Sequence, residues 1–115
     1  MTSSDPQRHL LRAADAAGAA VRALSGPTGM ARLGIEQRNL KPSEGTELAN
    51  GTRTEGFVYV LTGRGQARCA GESHAVAAGD LLGLSPGDAV AVVNTGSEPL
   101  TLLIGTTDRG PGTAP

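Results

Sequence analysis

The chain has 115 residues, 38% of them hydrophobic, with ten lysines and arginines against eleven aspartates and glutamates for a net charge of −1. That is enough to close one small core and no second, and the charge balance excludes an electrostatic partner such as nucleic acid. Phe57 and Tyr59 are the only aromatic residues, so base-stacking platforms and aromatic carbohydrate sites are excluded too, and no run approaches the roughly 18 apolar residues of a membrane span.

Ser4-Asp5-Pro6-Gln7 combines a capping serine, a first-turn proline and a glutamine placed to close a capping box ahead of Leu10, Leu11 and Ala14, which predicts a helix over about 5–17. Residues 19–24 read equally as helix or strand, ending at Ser25-Gly26-Pro27. Residues 34–40 follow as a strand with Glu36 and Arg38 on one face and Ile35, Gln37 and Asn39 on the other, either of which can be the inner one. A polar stretch carries Glu47, Asn50, Thr52, Arg53 and Glu55. Phe57 to Leu61 is a β-branched and aromatic strand closed by Thr62-Gly63-Arg64-Gly65, read as a hairpin to Gln66–Ala70, with a further turn at Ala70-Gly71 and His74 in the turn region after it. Gly79-Asp80 opens Leu81–Leu84, Pro86-Gly87-Asp88 punctuates, Val90–Val93 continues apolar, and Asn94-Thr95-Gly96 turns before Leu100–Ile104. The tail 106–115, with Gly-Pro-Gly, has the composition of a disordered end. Short strands at close spacing predict an antiparallel all-β barrel or jelly roll.

VYVLTGRG, AAGDLLGLSPGD and VVNTGSEPL, in that order, resemble the cupin pattern over about residues 30–105. The resemblance implies a cupin-type jelly-roll barrel over 30–105, and the capping pattern places an N-terminal helix or extension over 1–29 before it. The family's first motif normally supplies two histidines and a glutamate, and its second motif a further histidine, which together hold a divalent metal. Here one register puts Asn50 and Thr52 at the paired histidines and Gly56 at the glutamate, the other Gly51, Arg53 and Phe57; Val90 takes the remaining histidine position. Glu55 is the one nearby carboxylate, and three or more converging donors are needed for a transition metal, so no metal or other cofactor is expected. His9 and His74 are expected to face solvent. Cys69 is alone, which rules out an intrachain disulfide, and reads as a small buried strand residue.

If Gly56 points inward, so do Val58, Val60 and Thr62, and by the same parity Val90, Val92 and Asn94 line the second motif's strand. The pocket is then mostly apolar. Proton transfer falls to Glu36, Glu47 or Glu55 as catalytic candidates, with Arg38 or Arg53 stabilising an oxyanion, and Arg38, Asn50, Thr52, Arg53, Val58, Val60, Val90, Val92 and Asn94 as candidate ligand-binding residues. For each charged residue a solvated surface role is the plain alternative; Glu36 and Arg38 could pair on the outside, and Asn94 could simply cap its turn. The preferred function is a metal-independent isomerase, cyclase or lyase acting on a small, mostly apolar metabolite of a biosynthetic pathway. A non-catalytic binding or sensing protein and a structural partner subunit with a filled barrel are the alternatives. A homodimer covering exposed sheet edges and a cytoplasmic location, from the lack of a secretory leader pattern, complete the expectations.

Overall fold

A computed structural model describes residues 19–26, 29, 32–51 and 53–107. Within them lie nine strands: β1 (Val21–Ala23), β2 (Gly34–Leu40), β3 (Gly45–Ala49), β4 (Gly56–Thr62), β5 (Arg64–Cys69), β6 (Glu72–Ala77), β7 (Leu81–Leu84), β8 (Ala89–Asn94) and β9 (Leu100–Thr106). They form a five-stranded sheet in the order β1-β2-β9-β4-β7 and a four-stranded sheet in the order β3-β8-β5-β6, every pairing antiparallel. The fold is all-β, two sheets face to face around one core.

Alternation along the strands sets the inner faces. Leu40, Val58, Val60, Leu84, Leu100, Leu102 and Ile104 from the larger sheet meet Ala67, Val76, Val90 and Val92 from the smaller, all buried. Val58, Val60, Leu100 and Leu102 are fully buried, enclosed by their neighbours. The interior is packed shut where these side chains meet.

Three tight turns share one construction. In Ala77–Asp80 and Ser85–Asp88 the aspartate amide donates to the carbonyl three residues back (both 3.0 Å), while its carboxylate accepts from that residue's amide at 2.8 and 2.9 Å. The third residue of each, Gly79 or Gly87, takes a positive φ of 95° or 84°, which glycine adopts without cost. Lys41–Glu44 repeats the pattern with a glutamate: Glu44 N to Lys41 O at 2.9 Å and Lys41 N to Glu44 Oε1 at 2.8 Å. Its third residue is Ser43, at φ 74°.

Several sequence expectations need correction. Of the two readings of 19–24 the strand holds, with Val21–Ala23 paired to β2 and Asn39 Nδ2 donating to Ala19 O at 2.7 Å. The helix over 5–17 lies outside the described residues. β4 and β5 are not a hairpin, because β4 pairs with β7 and β9 while β5 pairs with β6 and β8 in the other sheet. A bulge between Val60 and Thr62, followed by Gly63 at φ 88°, bends the chain across from one sheet to the other. The bulge also carries Thr62 out of the interior, opposite Thr101. The actual hairpin is β5–β6, turned by Ala70 (φ 55°) and Gly71 (φ 79°), which places His74 within a strand. Thr106 belongs to β9, and Thr107 N–H donates to Glu55 O at 2.9 Å, so the structured chain runs past the expected start of the tail.

Candidate functional site

β2 is the strand whose inner face the sequence left open. Leu40 at its end is buried opposite Leu100, and the same parity turns Arg38 and Glu36 inward, opposite buried Leu102 and Ile104. Arg38 Nε pairs with Glu36 Oε2 and its Nη1 donates to the Thr46 hydroxyl. Thr46 lies on β3, opposite buried Val92, so this bond joins the two sheets. Val21 and Ala23 flank Arg38 and Glu36 on the far side. The Arg38 and Glu36 side chains keep 24% and 31% of their surface exposed. Three polar groups therefore converge between apolar walls, at the end of the packed interior that solvent still reaches. Arg38 retains Nη2 donors that neither contact uses.

The other candidates lie elsewhere. Glu47 is on the opposite face of β3 from Thr46, exposed on the outside of the four-stranded sheet, because inward-facing Thr46 and Leu48 bracket it. Arg53 and Glu55 are exposed on the β3–β4 connection, and Thr52 falls outside the described residues. Asn50 donates from Nδ2 to Leu84 O and Ser85 O, each at 3.2 Å, which holds the β3–β4 connection against the Ser85–Asp88 turn. Asn94, 2% exposed, spends its amide on three backbone groups: Nδ2 donates to Leu40 O (2.9 Å) and Glu98 O (2.8 Å), and Oδ1 accepts from Gly96 N (2.8 Å). It is a structural staple. Val58, Val60, Val90 and Val92 do face inward, but at 0–2% exposure they fill the core rather than line an open cavity. What sequence reasoning missed is Thr46, which its place beside a turn on an unrecognised strand concealed.

The positions that hold a metal in the family's motif do not fit one here. Asn50 is committed to β7 and its turn, Val90 is buried aliphatic, and an ideal Cβ at Gly56 would stand 2.6 Å from Gly105 O, 3.1 Å from Thr106 Cγ2 and 3.4 Å from Asn50 Oδ1. No glutamate side chain can leave Gly56 without moving backbone. Among the described residues no three His, Cys, Asp or Glu side chains group as metal donors. Cys69 is half-buried on β5, and His74 Nε2 stands 3.5 Å from Glu72 in an exposed pair.

Residues 38–105 match the family model of the cupin domain, and the chain belongs to that family. Among solved structures it is similar to a protein from Acidithiobacillus ferrooxidans provisionally named a sugar phosphate isomerase (23% identity over 90% of this chain and 77% of that one, TM-score 0.76). It is likewise similar to a cupin protein from Bacteroides fragilis (20%, 83% and 81%, TM-score 0.71) and to KdgF from Halomonas sp. (14%, 80% of each, TM-score 0.66). At these identities the likeness is one of fold. No curated protein matches the chain. Among the described residues no helix is long and apolar enough to cross a membrane.

Proposed function

We propose that this cupin is a metal-independent enzyme of isomerase type, moving a proton next to the carbonyl of a small, largely apolar metabolite bound between β2 and β3. The observation that carries the reading is the inward placement of Glu36 and Arg38, bonded to each other and, through Arg38, to Thr46 of the facing sheet. A carboxylate is a competent base for a carbon acid, and an adjacent guanidinium stabilises the enolate oxygen that forms as the proton leaves. Glu36 takes the proton from the hydroxyl-bearing carbon and returns it to the former carbonyl carbon, the substrate hydroxyl's proton passes to the former carbonyl oxygen, and the unused Nη2 donors of Arg38 hold the oxygens as the charge shifts between them. Val21, exposed beside the pair on β1, supplies apolar contact for the rest of the ligand. The isomerase name borne by a structural relative supports the reaction class and leaves the substrate open.

The test is solvent-deuterium incorporation, followed by NMR, across a panel of small α-hydroxycarbonyl compounds. The wild type should exchange the α-hydrogen of at least one member. Glu36→Gln should lower that exchange about a hundredfold or more, the usual size of a lost general base, while the protein stays folded. Exchange that persists undiminished in folded Glu36→Gln sinks the proposal.

A further inference from the structure

The outer face of the four-stranded sheet carries a second candidate site, far in chemistry from the first. One row of directly opposed residues runs Glu47 on β3, Ala91 on β8, Arg68 on β5 and Ser73 on β6. Glu47 and Arg68 bound an open trough of about 640 Å³ whose floor is Ala91 and Val93, with Gln66 and Ser73 on the Arg68 side. A neighbouring depression of about 560 Å³ shares Glu47, Arg68 and Ala91 with it and extends the floor toward Ala89. The floor exists because β8 presents alanine at two of its three outward positions, Ala89 and Ala91, between Glu47 on β3 and Gln66 and Arg68 on β5. The larger volume lies within the range of small-molecule sites.

Glu47 and Arg68 are opposite charges that do not meet. Among the described residues the ion pairs are Arg38 with Glu36 and His74 with Glu72, and neither Glu47 nor Arg68 takes part. The two backbones are separated by two inter-strand spacings, about 10 Å in all, and side chains stand roughly perpendicular to a sheet. Allowing about 2.8 Å for a charge-assisted hydrogen bond at each end leaves about 4 Å between the ligand's own charges. That separation suits an ammonium and a carboxylate on the same or adjacent carbons.

We propose that this trough binds a free α- or β-amino acid with a small apolar side chain. The ligand's carboxylate is held by the Arg68 guanidinium with Ser73 and Gln66 alongside, its ammonium by the Glu47 carboxylate, and its side chain rests on Ala91 and Val93. The site shares no titratable residue with the Glu36–Arg38 pair, so its occupancy and the proposed proton transfer are separable.

The experiment is calorimetric titration of the full chain with L-valine, N-acetyl-L-valine and L-valinamide, with sedimentation velocity on the same samples. L-valine should bind saturably, and removing either ligand charge, as in the acetyl or amide derivative, should weaken binding tenfold or more. Glu47→Ala and Arg68→Ala, both at exposed strand positions, should each weaken L-valine binding to a similar extent, whereas Glu36→Gln should leave it unchanged. No binding of L-valine at millimolar concentration, equal binding of the blocked derivatives, or binding that survives the double variant would overturn the proposal. So would loss of a dimer in Glu47→Ala or Arg68→Ala without any amino acid binding by the wild type, which would make the trough an interface between copies of the chain.

Discussion

Arg38 on β2 donates to the Thr46 hydroxyl on β3, linking the five-stranded sheet to the edge strand of the four-stranded one. The link fixes the guanidinium from two sides, since Glu36 holds its Nε. An arginine tethered at both ends presents its remaining donors in one direction, which lowers the ordering cost of binding an oxyanion.

Thr46→Val keeps the shape of the side chain and removes the acceptor. It should change stability by less than about 1 kcal/mol, since a partly exposed polar contact contributes little net free energy. Under the proposed function KM should rise several-fold with kcat less affected, because Arg38 would then have to be ordered by the ligand. Steady-state kinetics beside a thermal melt separates the two effects; an unchanged KM would show that Thr46 does not position Arg38.

Asn94 demands the opposite outcome. Its truncation to alanine removes a buried bond to Leu40 O and two part-buried ones, to Glu98 O and from Gly96 N. The expected cost is about 1–3 kcal/mol of unfolding free energy, the range for stranding a buried polar group, read by urea denaturation. Any residual ligand binding should survive in the fraction that stays folded.

The metal positions offer a third test. Gly56→Ala forces a Cβ against Gly105 O of β9, a backbone atom that cannot swing away, and should destabilise by about 1–3 kcal/mol as overpacking does. Val90→His restores one histidine of the family's set in a site that lacks the rest. Titration with zinc or manganese should then show no stoichiometric site, and tight binding by that variant would mean that donors other than Asn50 and Gly56 converge there.

The fold was legible because its signals are local. Gly79-Asp80 and Gly87-Asp88 announce turns whose aspartates close them, and Val58, Val60, Val90 and Val92 alternate as inward-facing strand residues must. What stayed hidden was long-range. Nothing within Gly56–Thr62 tells that a bulge and Gly63 hand the chain to the other sheet, since that depends on β9 and β8 lying ready in different sheets. The site was half legible for the same reason. Glu36 and Arg38 were visible as a same-face pair, yet which face turned inward was decided by Leu40 packing against Leu100, and their third partner sits on a strand whose composition, Gly-Thr-Glu-Leu-Ala, does not read as β. β6, Glu-Ser-His-Ala-Val-Ala, was missed likewise, and it is a strand because β5 pairs with it along its whole length.

Ser43 is the residue that breaks the repeat among the three aspartate- or glutamate-closed turns. At φ 74° it occupies the left-handed position that Gly79 and Gly87 fill in the sister turns, and a side chain there costs about 1–2 kcal/mol relative to glycine. Glycine also adds unfolded-state entropy, which takes back about 0.4–1 kcal/mol. Ser43→Gly should therefore stabilise the protein by roughly 0.5–1 kcal/mol, a rise of several degrees in Tm for a domain of this size. The reverse change in a sister turn, Gly79→Ser, should destabilise by a comparable or larger amount, although an added Cβ at Gly79 meets nothing within 4 Å and so strains only the backbone. Paired thermal melts decide the matter. If Ser43→Gly lowers Tm while Gly79→Ser leaves it unchanged, left-handed strain is not what distinguishes these turns, and the Ser43 hydroxyl must be making a contribution of its own.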